Sequence, residues 1–438
     1  MAAKAIQKTV GDYVTLQRGN TYSGKLVGEP GPALLGLGSI EPGGGFRPDK
    51  YKTFGGECPP KIMLRPGDLF VALKGATKDG SMVGSVARLP ENIPSGRLTQ
   101  DTARLDFVDK NRELANHLYW ILRTPQYRQY CDGRVTGSAS ASFSRDDFLS
   151  YPVPQVTRTS EALVEVLEAV DAKIELNRRM NVTLEALARA LFQSWFVDFD
   201  PVRAKLDGRK PDGLDKATAA LFPEHLEDGP NGRRPVGWHY ISIEDACVIN
   251  GWTLGRDDDL ETLEYIEISE VSRGNIANIA TYTRGEEPSR ARRRLRHGDT
   301  VLSTVRPDRG SYFLALNPPE NRVVSTGFAV LTPMKAPWSF IHAATTLPEV
   351  SEHLGQLADG GAYPAVRPEI IGAMKVAFPN EPKILEAFHH ICAPLLERAE
   401  ANRAQSRTLA TLRDTLLPKL LSGNVKAPRD PKIRNPNE

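Results

Sequence analysis

The sequence predicts an α+β fold with two β-rich modules separated by two long antiparallel helices. Residues recur at a spacing of 225, so that Asn177 matches Asn402 and Leu184 matches Leu409. Each copy begins with a stretch rich in glycine and proline that contains short β-prone runs, and it continues into a stretch with apolar residues at helical spacing. A duplicated unit of this kind presents two equivalent surfaces at a fixed separation, which suits a protein that reads two sites at once.

Changes in composition along the chain predict its segments. The first module is predicted to contain one helix, from Arg112 to about Tyr130. The first long helix lies in a stretch without glycine or proline, and Ser160 is its predicted N-cap. The predicted boundaries are a first module (1–155), a first long helix (156–200), a linker (201–235), a second module (236–380), a second long helix (381–425) and a flexible tail (426–438).

The composition is that of an ordinary globular protein. The 438 residues carry a formal net charge of +2, with 40% hydrophobic and 25% charged residues, so charge alone does not indicate a nucleic-acid partner. No apolar run approaches ~18 residues, which predicts a cytoplasmic protein that does not enter the membrane. The cysteines show no C-x-x-C pair and no clustered histidines, which predicts that no metal is bound: Cys58, Cys131, Cys247 and Cys392.

A five-residue motif, L-R-x-G-D, opens a predicted strand in each module. It occupies Leu64–Asp68 in the first module and Leu295–Asp299 in the second. The Gly-Asp pair supplies a tight turn, and the aspartate side chain can bond its own backbone before the strand begins. Each predicted strand then ends in a polar basic loop, at residues 74–78 in the first module and 306–310 in the second. The shared order of these features indicates that the modules are duplicates.

Each long helix carries apolar residues alternately four and three residues apart, which is the spacing of a heptad seam. At ~1.5 Å per residue, each seam is about 50 Å long. Two similar units related by a pseudo-twofold axis would pack the helices antiparallel and bring their polar seam positions together, where they would fix the register. Alternatively, these polar residues are simply solvated where the helices splay apart. The positions are Asn177 and Asn181 in the first helix and Asn402 and Ser406 in the second.

Several of these segments resemble one known family. Residues 184–205, which read LEALARALFQSWFVDFDPVRAK, resemble the central conserved region of the DNA specificity subunit of type I restriction–modification systems. Residues 412–423, LRDTLLPKLLSG, resemble the C-terminal conserved region of that family. The L-R-x-G-D strands, the entry to the second module at 235–238 and the repeat itself match its target recognition domains. The resemblance covers essentially the whole chain.

The resemblance implies a function without catalysis. In that family, each target recognition domain reads one half of a split sequence in double-stranded DNA, and the antiparallel helices set the gap between the halves. Two methyltransferase subunits dock on the specificity subunit, bind S-adenosylmethionine and flip an adenine out of the duplex. Two restriction subunits add ATP-driven translocation and cleavage. This chain is therefore expected to bind no cofactor itself and to contain no catalytic residue.

One segment invites comparison with the methyltransferase. Asn317–Glu320 reads N-P-P-E, whereas adenine methyltransferases carry N-P-P followed by an aromatic residue that stacks on the flipped base. Glu320 cannot stack, and the sequence contains no glycine-rich cofactor loop that follows a predicted strand. The segment is therefore predicted to be a plain turn.

The candidate DNA contacts lie in the loops of the two modules. Arginine and lysine at the strand ends can read guanine edges, whereas a basic run elsewhere bonds phosphates without specifying sequence. The alternatives are that the basic run is a solvated charged loop and that the small-residue loops merely connect strands to helices. Predicted base contacts are Lys74, Lys78, Arg306 and Arg309; predicted phosphate contacts are Arg290, Arg292 and Arg293; predicted loop contacts are Arg134, Ser138, Ser140 and Tyr363.

A cluster of large apolar residues ends the first long helix. It has more apolar surface than one seam needs, which predicts a docking face for a partner subunit, although part of it must belong to the seam. The cluster comprises Leu191, Phe192, Trp195 and Phe196. An alternative function for the whole chain is a non-DNA adaptor, with two β modules on a coiled-coil rod. That hypothesis explains neither the basic strand-end loops nor the specific central motif.

Overall fold

The computed structural model describes residues 8–48, 50–75, 80–109, 111–137, 141–230, 232–255, 258–361 and 363–422. The chain forms two compact units. The first unit combines the residues up to Ile174 with those from Arg407 onward, and the second unit is Glu175–Ser406. Each long helix therefore contributes one part to each unit.

The first unit is built from short strands followed by helices. Its strands are β1 (Val14–Arg18), β2 (Ala33–Leu35), β3 (Lys52–Thr53), β4 (Met63–Leu64), β5 (Leu69–Ala72), β6 (Val86–Arg88), β7 (Gly96–Leu98) and β8 (Thr102–Phe107). Its helices before the long one are α1 (Arg112–Ile121), α2 (Pro125–Asp132) and α3 (Arg145–Leu149). The first long helix is α4 (Arg158–Phe192), and it continues as a π-turn over Gln193–Val197.

The second unit repeats this plan with additions at its start. Its helices are α5 (Asp200–Leu206), α6 (Lys216–Leu221), α7 (Ile243–Ala246), α8 (Trp338–Thr345), α9 (Pro348–Gln356) and α10 (Pro368–Gly372). Its strands are β9 (Leu226–Glu227), β10 (Arg234–Pro235), β11 (Trp238–Ser242), β12 (Cys247–Ile249), β13 (Thr262–Ile266), β14 (Val271–Ser272), β15 (Asn275–Ile276), β16 (Ala280–Thr283), β17 (Ala291–Arg294), β18 (Asp299–Ser303), β19 (Tyr312–Ala315), β20 (Arg322–Ser325), β21 (Phe328–Pro333) and β22 (Lys375–Pro379). The second long helix is α11 (Pro382–Leu416), and α12 (Lys419–Ser422) follows it.

The two units contain the same pair of four-stranded sheets. The strand order β1-β8-β5-β6 in the first unit corresponds to β12-β21-β18-β19 in the second. The order β3-β2-β7-β4 corresponds in the same way to β16-β13-β20-β17. In each of these latter sheets the central pair is parallel, β2 with β7 and β13 with β20, while its flanking pairs are antiparallel. The predicted α+β class and the duplication are therefore confirmed.

The L-R-x-G-D motif forms the same turn in both units. Gly67 and Gly298 have φ angles of +87° and +85°, a backbone region that glycine adopts readily. The backbone N–H of Arg65 donates to Oδ2 of Asp68, and that of Arg296 donates to Oδ2 of Asp299, each at 2.7 Å. The predicted self-bonded Gly-Asp turn is confirmed by these contacts.

Three local predictions were wrong. The helix predicted from Arg112 breaks before Pro125, because Thr124 caps a new helix through a hydrogen bond from the N–H of Tyr127. The long helix starts before Ser160, which exchanges hydrogen bonds with Thr157 at 2.9 and 3.1 Å. The segment predicted as a linker folds into α5 and α6, and Val202 is only 1% exposed.

The two long helices pack antiparallel within each unit. In the second unit, the amide of Asn181 on α4 donates to the carbonyl of Ala399 on α11 at 3.0 Å. In the first unit, Asp171 on α4 accepts from Arg413 on α11 at 3.0 Å. The seam predicted from the 4-3 spacing is therefore an interface between these helices. Pro394 lies inside α11 and does not end it.

The second unit joins its module to the helices through aromatic side chains. Phe192, Trp195 and Phe196 are each at most 2% exposed and lie in one core with residues of the module. The ring of Phe196 packs edge-on against Phe340 of α8 and against Phe388 of α11, with centroid separations of 4.9 and 5.2 Å. The π-turn at Gln193–Val197 allows the adjacent residues 195 and 196 both to face this core.

The first unit joins its module to the helices through a charged network as well as apolar contacts. Glu168 on α4 accepts from Arg88 of β6 at 2.7 Å and from the indole of Trp120 at 2.6 Å. One turn further along, Asp171 lies 3.0 Å from Arg123 and also accepts from Arg413 of α11. Two carboxylates on one helix face thus hold three arginines and an indole. Charge-assisted bonds of this kind fix orientation more strictly than apolar contact does.

Candidate nucleic-acid interface

In the first unit, the loop after β5 pairs with the loop that precedes α3. Lys74 and Ser142 form an antiparallel bridge. The N–H of Gly75 donates to the carbonyl of Ala141 at 2.8 Å, and the N–H of Phe143 donates to the carbonyl of Leu73 at 2.9 Å. These bonds hold the basic strand-end loop beside the predicted glycine–serine loop.

In the second unit, the loop after β18 makes the same bonds. Val305 and Ala365 form the antiparallel bridge. The N–H of Arg306 donates to the carbonyl of Pro364 at 2.7 Å, and the N–H of Val366 donates to the carbonyl of Thr304 at 2.9 Å. Arg306 therefore occupies the position of Gly75, and Val305 that of Lys74. The loops correspond as predicted, but their side chains differ at each matched position.

Arg306 has an unusual backbone and an aromatic partner. Its φ angle is 47°, in the left-handed region that costs an arginine about 1 kcal/mol or more. Its guanidinium lies 4.8 Å from the ring centroid of Tyr363, a cation–π distance. Tyr363 is 73% exposed, a large fraction for a tyrosine that one face of an arginine already covers. The pair presents a flat, positively charged surface at the end of the sheet.

Arg309 ends a short turn next to Arg306. Pro307–Arg309 forms a single 3-10 turn, which Gly310 closes with a φ angle of +64°. The turn rests on α9, where a Cβ on Gly355 would lie 2.8 Å from Cβ of Asp308. Arg309 and Asp308 are both exposed. The backbone of this basic turn is therefore held while its arginine faces solvent.

Of the other predicted DNA contacts in the first module, the structure describes Lys74 and Arg134. Lys74 is exposed at the strand end. Arg134 is also exposed, but its guanidinium stacks on Tyr130 at 3.7 Å and lies 3.8 Å from Asp147. Lys78, Ser138 and Ser140 lie outside the residues that the structure describes.

Two of the five arginines in the basic run at 290–296 form ion pairs with nearby acidic residues. Arg292 lies 3.8 Å from Glu287, and Arg294 lies 3.2 Å from both Asp258 and Glu320. Partial burial lowers the pKa of Arg293. Arg292 is thus partly neutralised by an acidic neighbour and Arg293 is partly buried on β17, and their contact with phosphate stays a prediction.

Arg290 differs from the rest of the run. It is exposed, and its carbonyl accepts from the N–H of Thr326 at 2.8 Å. The next residue along, Gly327, accepts from the N–H of Thr304 at 2.9 Å, just before the Arg306 turn. Arg290 therefore lies at the same end of the sheets as Arg306.

The predicted docking face at the end of α4 is also corrected. Phe192, Trp195 and Phe196 are buried in the core of the second unit, and Leu191 is partly buried against the same core. Their excess apolar surface packs against α8, α11 and Trp238, because the helix end lies under the second module. The prediction of a partner-docking surface at these residues was therefore wrong.

The predicted polar centre of the seam is buried and hydrogen-bonded. Asn177 and Asn402 are 0% and 2% exposed. The amide of Asn177 donates to the side chains of Gln405 and Ser406 at 2.9 and 3.2 Å, and the amide of Asn402 donates to Asn181 at 2.9 Å. The alternative that these residues are solvated where the helices splay is wrong for the asparagines. Removing one partner would leave a buried polar atom unpaired, at a cost of about 1–3 kcal/mol.

Asn317–Glu320 is a turn, as predicted. Asn317 adopts a left-handed φ of 47°, and its side-chain oxygen lies 2.9 Å from Nδ1 of His297. Glu320 lies 3.2 Å from Arg294, so its carboxylate serves the sheet edge. Across the described residues, no group of three or more histidine, cysteine, aspartate or glutamate side chains could hold a metal ion. No helix in the described ranges is long and apolar enough to span a membrane.

No motif or spacing singles out Arg273, which lies beside the Arg306 turn. Its backbone N–H donates to the carbonyl of Gly310 at 3.1 Å, and its φ angle is 37°. The available signal was the alignment of the two modules, in which an arginine replaces glycine at a hairpin tip.

These features define a class of protein: a duplicated α+β chain whose modules share one sheet framework, carry different loops at matched positions and rest on antiparallel helices. No family model matches the chain. It is 22% identical over 376 residues to the type I restriction enzyme HindI specificity subunit of Haemophilus influenzae, covering 69% of this chain and 74% of the relative. It is 23% identical over 349 residues to the type I restriction enzyme MjaIX specificity subunit of Methanocaldococcus jannaschii, covering 76% and 74%.

The fold agrees with these sequence similarities. The S subunit of a type I restriction–modification system from M. genitalium superimposes with a TM-score of 0.52 at 15% identity, over 96% of this chain and 97% of that one. In sequence the chain is similar to the specificity subunits of type I restriction enzymes, and in fold it is similar to an S subunit of such a system.

Proposed function

We propose that this protein is the sequence-specific DNA-binding subunit of a type I restriction–modification complex, in which each module reads one half of a bipartite target. One observation carries the proposal. The two modules hold the same pair of loops with the same backbone hydrogen bonds, yet place different side chains there, Lys74 and Gly75 against Val305 and Arg306. A shared frame with divergent loops is expected of two readers that recognise different sequences.

The chemistry of the loops suits DNA. Arg309, Arg290 and Lys74 are exposed at the strand ends, where they can reach guanine edges or phosphates. Tyr363 adds an exposed ring that can pack on a sugar or a base. The overall charge of +2 is small for a DNA-binding protein, so partner subunits would supply much of the phosphate contact.

We infer that methylation and cleavage reside in partner subunits, which would bind S-adenosylmethionine and ATP. In this chain, the side chain of Asn317 faces His297, and Glu320 faces Arg294, so the N-P-P-E segment serves the framework. The protein would act in the cytoplasm, where its DNA is.

Two methyltransferase subunits would dock on a second stripe of the long helices, distinct from the seam. On α4 this stripe repeats at spacings of four and three residues and includes Val166, Leu176 and Leu187, which are 46%, 42% and 53% exposed. On α11 the matching positions, 225 residues further on, include Ile391 and Leu412, which are 42% and 45% exposed. Equivalent apolar stripes on both helices suit two copies of one partner helix.

The helices would also set the gap between the half-sites. The buried asparagine centre fixes the register of α4 against α11 in the second unit, and register determines how far along the helices each module is attached. An insertion of four residues near Asn181 in α4 would change that register and is expected to change the tolerated gap.

The experiment is a gel shift of the chain with its cognate methyltransferase subunits, at moderate salt, on a pool of duplexes that contain split sites with varied gaps. Sequencing of the bound fraction is expected to return two half-sites at one gap length. Bound DNA without enriched half-sites would overturn the proposed function, since a non-specific binder enriches none.

A further inference from the structure

The second module carries a hairpin with an arginine at its tip. Strands β14 and β15 pair Val271 with Ile276, and Arg273 and Gly274 form the tip. Both tip residues have left-handed backbone, with φ angles of 37° and 84°. The N–H of Gly274 donates to the carbonyl of Tyr312 at 2.6 Å, which joins the tip to the start of β19.

The first module has an equivalent hairpin that is one residue longer between its bridging residues, with glycines at its tip. Ile40 and Phe46 form the matching bridge, and the N–H of Gly45 donates to the carbonyl of Val86 at the start of β6. By this hydrogen bond Gly45 corresponds to Gly274, which places Gly44 at the position of Arg273. A Cβ on Gly44 would lie 2.8 Å from Cγ of Arg123, so that position has no room for a side chain without a shift of this arginine.

The side chain of Arg273 extends over the Arg306–Gly310 turn. A Cβ on Gly310 would lie 3.6 Å from its Nε and 3.7 Å from its Cγ. The two turns together carry three arginines, at 273, 306 and 309, and one aspartate, Asp308. Arg273 is exposed and has no acidic partner among the residues that the structure describes. Arg273 and Arg309 are both exposed, and their positive charge on adjoining turns favours an anionic ligand.

The tip is held from below by the helix pair. A side chain at Gly274 would collide with the guanidinium of Arg403 on α11. That guanidinium is ion-paired with Glu185 of α4 and Glu400 of α11. Left-handed backbone at a non-glycine residue persists only where the surroundings impose it, and such positions concentrate at functional sites. Here the bonds of both tip residues and the packing under Gly274 impose it.

We propose that Arg273 is a specificity-determining residue that contacts a base edge in the half-site read by the second module, a contact for which the first module has no counterpart. The inference rests on the proposed function and assigns Arg273 a role in the DNA recognition of the second module. The held tip fixes the direction of the Cα–Cβ bond of Arg273, and its Cγ and Nε lie beside Gly310. The planar fork of an arginine can donate two parallel hydrogen bonds to guanine, a geometry that the rotating ammonium group of a lysine holds less strictly.

The test compares Arg273→Lys and Arg273→Gly with the wild-type chain, each in complex with its methyltransferase subunits. Lys335→Ala is the matched control, because it removes one exposed positive charge after β21, at the opposite end of that strand from the Arg306 turn. Bound DNA pools are sequenced, and melting temperatures are measured. Arg273→Lys is expected to lose about 10- to 100-fold of discrimination at one base pair of one half-site, with the other half-site unchanged.

The glycine variant separates readout from folding. Glycine adopts the backbone of residue 273 without strain, so Arg273→Gly is expected to melt at or above the wild-type temperature while it loses the same base preference. Wild-type preferences retained in both variants would overturn the proposal, and so would a uniform loss of affinity, which marks a phosphate contact. A wild-type complex without any half-site selectivity would instead reject the proposed function itself, and the proposal with it.

Discussion

The two units share their sheets, their turns and their loop pairing, but they differ in how the module meets the helices. The second unit uses a cluster of phenylalanine and tryptophan rings around Phe196, whereas the first uses Glu168 and Asp171 to hold arginines from the module and from α11. The duplication has therefore preserved the framework on which loops are presented, while the attachment of that framework to the helices has diverged. Strand order and turn geometry are the constrained part of this fold.

The cluster of aromatic rings around Phe196 is expected to lose more stability on truncation than the charged network of Glu168 and Asp171. Phe196→Ala should lower the free energy of unfolding of the second unit by about 3–5 kcal/mol, because the cavity lies among rings that cannot close over it. This loss is measured by urea denaturation, with unfolding monitored by hydrogen exchange in peptides of the second unit. Val197→Ala, at a neighbouring position that is 44% exposed, is the control. Equal losses of unfolding free energy in Phe196→Ala and Val197→Ala would contradict the role of the aromatic cluster.

The stability that the charged network of Glu168 and Asp171 contributes should depend on salt concentration as well as on mutation. Asp171→Ala leaves Arg123 and Arg413 without their shared partner and should cost the first unit about 2–3 kcal/mol at low salt. The loss should shrink at high salt, because screening weakens the network of the wild-type protein. Hydrogen exchange on the first unit, with exposed Glu165→Ala as control, gives the comparison. A loss in Asp171→Ala no greater than in the control would reject the network's role.

The matched L-R-x-G-D turns should differ in their response to pH. Burial raises the pKa of Asp299 to about 6, whereas its counterpart Asp68 is only partly buried. A folded-state pKa above the ordinary 3.8 means that this group favours folding most below pH ~3.8 and loses that contribution as pH rises through about 6. Asp299→Asn should therefore gain about 2 kcal/mol relative to wild type between pH 4 and pH 7.

Denaturation midpoints of wild type, Asp299→Asn and Asp68→Asn across that pH range measure the effect. The asparagine keeps a carbonyl oxygen for the N–H of Arg296, so the turn itself is retained. A pH response of Asp299→Asn that parallels the wild type would show that Asp299 does not titrate in this window.

The smallest expected effect is a loss of base preference in the half-site that one module reads, without a change in the other half-site. Arg309→Ala should relax base preference in one half-site and Lys74→Ala in the other, each by about 1–2 kcal/mol of discrimination. Arg65→Ala and Lys335→Ala, at the opposite strand ends, are the controls. Sequencing of bound DNA measures all four. A variant that weakens binding equally on every sequence would place that residue on phosphate.

Much of the framework could be predicted from the sequence because its signals are local or periodic. The Gly-Asp turns depend on two adjacent residues, and the asparagine centre follows from the 4-3 spacing of the seam. The burial of Phe192 and Trp195 could not be predicted, because periodicity shows that a face is apolar but not which element covers it. The position of Arg273 could not be predicted for a related reason, because the turn that it lies against, at Gly310, is far away in the sequence.

The π-turn at Gln193–Val197 has an evolutionary consequence. A π-turn closes its hydrogen bond over i to i+5, so it holds one residue more than an α-helical turn and can accommodate a one-residue insertion within a helix. Its i to i+5 bond runs from the N–H of Asp198 to the carbonyl of Gln193 at 2.8 Å, at the end of the helix and away from Asn177 and Asn181. The end of α4 could thus gain a residue and a second buried ring without disturbing the asparagine centre. Such an insertion is one way in which duplicated halves of unequal length can retain a common seam.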